Sequence, residues 1–102
     1  MRAVRARETG AMVSWLFRNR VTGEITIAQR PNPSLLLFLG LYLLRAVTSP
    51  SGAAAKGLGV AVSGTLGWWA TDELVRGVNP FRRILGACAL GIAVASLART
   101  LA

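Results

Sequence analysis

The stretch DELVRGVNPFRR, residues 72–83, is the densest polar cluster in a chain that is 53% hydrophobic. It lies between two strongly apolar runs. Within it, Gly77 can end one helix, and Asn79 followed by Pro80 can cap and open the next. The pattern therefore predicts a tight connection between two antiparallel membrane helices, placed in water or among lipid headgroups.

Composition favours a bilayer-embedded domain. Of the 102 residues only 16% are charged, and the mean hydropathy is +0.49, so a polar shell for a soluble fold is scarce. Most charges lie in residues 2–30 and 72–83. The net charge of +8 comes from arginines that flank apolar spans, which indicates positive-inside topology and contact with anionic headgroups. Nucleic-acid binding is not favoured.

The predicted fold class is all-α integral membrane, with three transmembrane helices behind a short amino-terminal region. We expect a mobile basic tail at 1–13, an interfacial β-hairpin at 14–30, and a three-helix transmembrane domain at 31–102. The spans are predicted at about 33–49, 53–75 and 80–101.

The hairpin prediction depends on a period-two pattern. Trp15 and Phe17 alternate on one side, and Ile25 and Ile27 do the same after a turn-like spacer with Gly23, which predicts a hairpin with one aromatic-aliphatic face. A short interfacial helix over 11–17 is the alternative.

Counting cationic residues predicts the orientation. Residues 1–30 contribute six Lys or Arg and residues 76–83 contribute three, against three at the other end: Arg45, Lys56 and Arg99. The chain is therefore expected in the cell membrane as a multi-pass protein, with a cytoplasmic amino terminus and an external carboxyl terminus.

Small residues recur every fourth position on the second and third spans. Such faces let helix backbones approach closely in lipid. The first interpretation is packing of the two helices within one chain; the second is mating with another subunit. The residues of this helix-packing or oligomer face are Gly59, Ser63, Gly67, Ala87, Gly91 and Ala95.

The acids of the polar cluster lie near a helix carboxyl terminus, where they oppose the helix dipole. One interpretation is a solvated group of ion pairs with the nearby arginines, worth at most about 1 kcal/mol per pair. The other is a cytoplasmic docking site for a protein partner or for anionic lipid. The residues concerned are Asp72, Glu73, Arg76, Asn79, Pro80, Arg82 and Arg83.

No reaction chemistry is visible in the sequence. Histidine is absent, Cys88 is expected to be a buried, inert thiol, and 58–70 and 85–98 contain no ionisable side chain. We predict no catalytic residue, cofactor or metal. The leading hypothesis is a non-enzymatic accessory or scaffold protein that assembles through its small-residue helix faces and presents the Arg-rich cytoplasmic loop to a membrane-protein partner or to anionic lipid. The alternative is a homo-oligomeric pore, either holin-like or a small channel.

The segment GEITIAQ followed by WWATDELVRGVNPFRRILG resembles a group of small three-span membrane proteins from actinobacteria. They share a TGEI-IAQ segment and a DEL-RGVNPFRR-LG hairpin, and the resemblance covers residues 18–86. It implies the three-span architecture and an actinobacterial type of source. It implies no activity and no catalytic residue.

Overall fold

The computed structural model describes residues 2–28 and 32–102, and the side chains of 10–28 and 32–102. Within these residues the chain forms four helices and no β-strand, which confirms the all-α fold class. The helices are α1 (Arg2–Phe17), α2 (Pro33–Thr48), α3 (Gly52–Arg76) and α4 (Pro80–Leu101).

Local signals set the bounds of α2. The Asn32 side chain accepts a hydrogen bond from the backbone N–H of Leu35 at 3.0 Å, and Pro33 occupies the first helical position. Both are favoured where the first N–H groups of a helix lack intrahelical partners. Ser49 ends the helix in a left-handed conformation (φ 44°), and its N–H donates to the carbonyl of Arg45 at 3.0 Å.

Helices α3 and α4 form an antiparallel pair, and α2 packs on α3. The 25 residues of α3 and the 22 of α4 correspond to lengths of about 37 and 33 Å. Tight turns join the helices, so α2, α3 and α4 run alternately along one axis. The molecule is long and narrow, with extents of 61 × 25 × 23 Å.

The amino-terminal prediction needs correction. Residues 2–13, expected as a mobile tail, belong to α1. The segment contains no proline and is rich in alanine and arginine, which favour helix. The helix considered as an alternative over 11–17 is the observed structure there, and it extends to Arg2.

The β-hairpin predicted at 14–30 is not formed in the part of it that the structure describes. Its first four residues end α1, and the 18–28 loop contains only an isolated antiparallel bridge between Arg18 and Ile25. Asn19 explains the turn, because its side-chain oxygen accepts two backbone N–H groups at 2.8 and 3.1 Å. Residues 29 and 30 of the predicted hairpin lie outside the described residues.

Each of the last three helices begins and ends within about one residue of a predicted span. One of them, α4, is long and apolar enough by length and composition to cross a membrane, and 11% of its most apolar stretch is buried. This is weak evidence of membrane association. Helix α2 is apolar but shorter, and in α3 glycines, hydroxyls and Lys56 dilute the apolar character.

The buried apolar core is small. Among the described side chains its members are Val62, Trp69, Ala70 and Ala93. Larger apolar side chains point outward instead, including Leu43 on α2 and Ile92 on α4, which are 62% and 60% exposed. The apolar surface of the bundle therefore faces its surroundings more than its own interior.

Candidate binding site at the helix junction

The turn between α3 and α4 brings the polar cluster together. We call the last turn of α3, residues 77–79 and the first turn of α4 the helix junction. Gly77 is required by close approach: a Cβ there would collide with the carbonyl oxygen of Glu73 and lie 2.7 Å from Cγ of Arg83. A larger residue would force α3 and α4 apart at their connection.

Asn79 has two roles in the junction. Its side-chain oxygen accepts the backbone N–H of Arg82 at 2.8 Å, which caps α4 as predicted for an Asn-Pro pair. Its side-chain NH₂ donates to the carbonyls of Phe17 and Thr26, both at 2.8 Å. The residue is 3% exposed, so one buried amide joins the start of α4, the end of α1 and the 18–28 loop.

Glu73 and Arg82 form a two-point ion pair across the turn. Arg82 donates from Nε to Oε2 of Glu73 at 3.1 Å and from Nη2 to Oε1 at 3.0 Å. Its Nη1 donates to the carbonyl of Ile27 at 3.0 Å, and its guanidinium lies 5.9 Å from the ring centroid of Trp69. Every nitrogen of this guanidinium is thus bound to a protein acceptor.

The burial of this pair corrects the expectation of a solvated cluster. The side chains of Arg82 and Glu73 are 9% and 10% exposed. The second pair, Arg76 with Asp72 at 3.6 Å, does match that expectation, because its side chains are 81% and 37% exposed. The residues predicted as one docking site therefore divide into a buried structural group and an exposed group.

The 18–28 loop is seated on the junction through further contacts. The backbone N–H of Arg20 donates to the carbonyl of Val78 at 2.8 Å. The rings of Phe17 and Phe81 lie 4.9 Å apart between centroids, in a tilted arrangement that aromatic pairs favour. The loop, α1 and the start of α4 are therefore held as one unit.

An open cleft of about 360 Å³ adjoins the ion pair. Its polar walls come from Glu73 and Arg82 and from Asp72 and Arg76, with Asn32 and Trp69 beside them. Arg82 and Glu73 bind each other, so the charged groups left more open to the cleft are those of Asp72 and Arg76.

Of the predicted small-residue face, the α3 positions contact α4 within the chain, and the α4 positions do not face α3. On α3, a Cβ at Gly59 would meet the Thr100 side chain at 2.9 Å, and a Cβ at Gly67 would lie 3.8 Å from Ala93. Ser63 donates to Ser96 at 2.9 Å. These three α3 positions therefore face α4.

The three predicted positions on α4 do not face α3. Ala87, Gly91 and Ala95 are exposed, and a Cβ at Gly91 would meet no atom within 4 Å. The contact face of α4 lies about one residue away, where Gly86 approaches α3 so closely that a Cβ would lie 2.6 Å from the backbone nitrogen of Leu74. Packing of this α4 face within the chain was thus a wrong interpretation; contact with another subunit stays a prediction.

Sequence reasoning missed the partners that the end of α1 and the 18–28 loop supply. Backbone carbonyls of Phe17, Thr26 and Ile27 accept from Asn79 and Arg82, and a carbonyl acceptor leaves no mark in a sequence. The different fates of Arg82 and its neighbour Arg83 follow from helix geometry, since successive residues point about 100° apart.

Cys88 is exposed on the outer surface of α4, not buried as expected.

Comparison of the chain with models of protein families, with curated proteins and with solved structures gives no significant match.

Proposed function

We propose that this protein is a non-enzymatic, three-span integral membrane protein that serves as an accessory or scaffold subunit. The observation that carries the proposal is the helix junction, in which a buried ion pair and a buried amide hold the 18–28 loop against α4. A joint of this kind presents the remaining arginines in a fixed arrangement at one end of the bundle.

Support for three spans comes from the outward-facing apolar surface. On α2, Leu36, Leu43 and Leu44 are 57%, 62% and 50% exposed. In water such a surface would be an aggregation hazard, whereas in a bilayer it is solvated by lipid chains. Helices α3 and α4, about 37 and 33 Å long, are long enough to cross a hydrocarbon core of about 30 Å. Helix α2 is about 24 Å long, and local thinning of the bilayer or snorkelling of Arg45 can accommodate this shorter length.

The charge distribution supports the orientation. The junction end carries Arg18, Arg20, Arg76, Arg82 and Arg83, and the opposite end carries Arg45, Lys56 and Arg99. In this proposal the junction lies at the cytoplasmic face and the carboxyl terminus is external. Single cysteines introduced at Thr22 and at Ala102, in a Cys88→Ser background, test this. Impermeant maleimide added to intact cells should label position 102 and not position 22; the reverse pattern would contradict the orientation.

The scaffold role predicts a partner that recognises the most exposed arginine of the junction, Arg76, whose side chain is 81% exposed. Native mass spectrometry of the protein, extracted gently from its own membrane, should reveal a defined complex with another membrane protein. Replacing Arg76 by Gln should release that partner, whereas replacing Arg45 by Gln removes equal charge from the other end and should not. A complex that survives the Arg76 change unaltered would exclude docking through this arginine.

A homo-oligomeric pore is the second candidate, favoured by the exposed face of Ala87, Gly91 and Ala95. Against it, the hydroxyls that a lumen would need are used inside the chain: Ser63 binds Ser96, and Thr100 donates to the Ser96 carbonyl at 2.9 Å. Ion flux through liposomes containing the purified protein separates the two. A closed homo-oligomer that conducts would replace the scaffold proposal.

A further inference from the structure

A pocket of about 300 Å³ lies between the 18–28 loop and the helix junction. Arg18, Arg20 and Arg83 line it, and none of the acidic side chains that the structure describes does. Among the side chains that the structure describes, the two ion pairs are Arg76 with Asp72 and Arg82 with Glu73. The three arginines of this pocket therefore keep their charge uncompensated by any described carboxylate.

The pocket is built by fixed contacts. Arg18 donates from Nε to the hydroxyl of Ser14 at 2.7 Å and from Nη1 to the carbonyl of Gly23 at 2.6 Å. Arg83 donates from Nε to the carbonyl of Leu74 at 2.9 Å. These bonds hold the guanidinium groups in place while Nη2 of Arg18 and both Nη groups of Arg83 remain available as donors.

Arg20 joins them through its backbone, whose N–H donates to the carbonyl of Val78 at 2.8 Å. The pocket also lies beside the amino terminus of α4, whose partial positive charge favours an anion. Three arginines line this one space, and guanidinium groups are well suited to binding phosphate oxygens.

An apolar groove of about 470 Å³ continues from this pocket along α4. It shares Trp15, Pro80 and Arg83 with the pocket and adds Leu74, Ile84 and Ala87. Trp15 is 65% exposed and Ile84 is 53% exposed. Ile84 and Ala87 are four and seven residues beyond Pro80, hence about 6 and 10 Å further along the helix axis.

We propose that the pocket and the groove together bind one anionic phospholipid. The headgroup phosphate lies among Arg18, Arg20 and Arg83, and one acyl chain follows the groove past Trp15 and Ile84 to Ala87. The inference rests on the membrane placement proposed above; Arg76 does not line this pocket and stays available to the protein partner. A free phosphate or an acidic peptide would use the arginines but would leave the adjoining apolar groove unfilled.

Native mass spectrometry with matched lipids tests this. The detergent-purified protein is mixed with phosphatidylglycerol or with phosphatidylcholine of the same acyl chains. We expect one phosphatidylglycerol retained per chain in preference to phosphatidylcholine. Replacing Arg20 and Arg83 by Gln should weaken retention about fivefold per arginine, hence about twenty-five-fold for the pair. The Arg45→Gln, Arg99→Gln variant has the same net charge and should retain the lipid.

The groove needs its own variant, because the arginine changes also alter the loop contacts. Ala87→Trp fills the groove and keeps all three arginines, so it should lower retention of phosphatidylglycerol while helix content by circular dichroism is unchanged. Full retention in this variant, or displacement of the lipid by millimolar inorganic phosphate, would reduce the site to a simple phosphate site and overturn the proposal. Displacement by a polyglutamate peptide at similar concentration would overturn it in favour of a protein partner.

Membrane extraction separates failure of this inference from failure of the proposed function. If the protein resists alkaline carbonate extraction from phosphatidylcholine vesicles yet shows no preference for phosphatidylglycerol, the lipid site is wrong and the membrane placement stands. If carbonate releases the protein, both are wrong.

Discussion

Replacing Glu73 by Gln should destabilise the protein by about 3 kcal/mol, at the low end of the cost of leaving a buried charge without its partner. The carboxylate accepts two N–H groups of Arg82, at 3.0 and 3.1 Å, and both side chains are at most 10% exposed. Gln offers one oxygen acceptor and turns its NH₂ toward the guanidinium donors. The remaining contacts of Arg82 with the Ile27 carbonyl and the Trp69 ring keep the cost near the lower limit.

The neighbouring carboxylate supplies a matched control. Asp72→Asn makes the same chemical change one residue away, in a pair with Arg76 that is largely exposed, and should cost about 0–1 kcal/mol. Reversible unfolding in mixed micelles, followed by circular dichroism, measures both. A cost of about 3 kcal/mol raises the unfolding equilibrium constant more than hundredfold, which separates the two variants clearly.

A double-mutant cycle decides whether the pair is coupled. Adding Arg82→Gln to Glu73→Gln removes the unpaired charge, so the double variant should be more stable than the sum of the single costs predicts, by about 2 kcal/mol. Equal costs for Glu73→Gln and Asp72→Asn, together with an additive cycle, would refute the argument. The pair would then be solvated, as the sequence first indicated.

Three further changes test the packing. Asn79→Ala should cost about 2–4 kcal/mol of unfolding free energy, because it removes a helix cap and two hydrogen bonds to carbonyls. Asn32→Ala removes only the α2 cap and should cost about 1 kcal/mol. Similar unfolding midpoints for the two variants would contradict this prediction. Gly86→Ala should cost about 1–3 kcal/mol by overpacking the α3–α4 contact, and Gly91→Ala, in open space, should be neutral or stabilising in the same assay. Cys88 should resist maleimides in native membranes, because these reagents react with thiols that water reaches, and should react after denaturation in detergent; labelling by a charged maleimide in native membranes would place this part of α4 in water.

The chain's own pattern was sufficient for α2, α3 and α4, though not for α1, because the signals of these three helices are local. Asn32 with Pro33, Asn79 with Pro80, and the apolar runs between them predict where α2 and α4 begin, since capping and helix propensity act within a turn. The α3 face of Gly59, Ser63 and Gly67 was predictable because its four-residue spacing is also a local pattern.

Only the tertiary structure decided what lies inside the junction. Glu73 is buried and Asp72 is not, although both precede the same turn, because the 18–28 loop and Trp69 cover one side of α3 and not the other. The same loop and the last residue of α1 supply the carbonyl acceptors for Asn79 and Arg82. Such partners lie more than 50 residues away in sequence, and no local pattern encodes a contact between backbone oxygens and a distant side chain.

The rotation of α4 about its axis was also a tertiary outcome. The stripe of Ala87, Gly91 and Ala95 has the spacing of a packing face, yet the contact with α3 runs through Gly86 and Ala93. Several faces of a helix rich in small residues satisfy the same spacing rule, so periodicity alone does not choose among them. The ion pair and cap at the start of α4 determine which face turns inward.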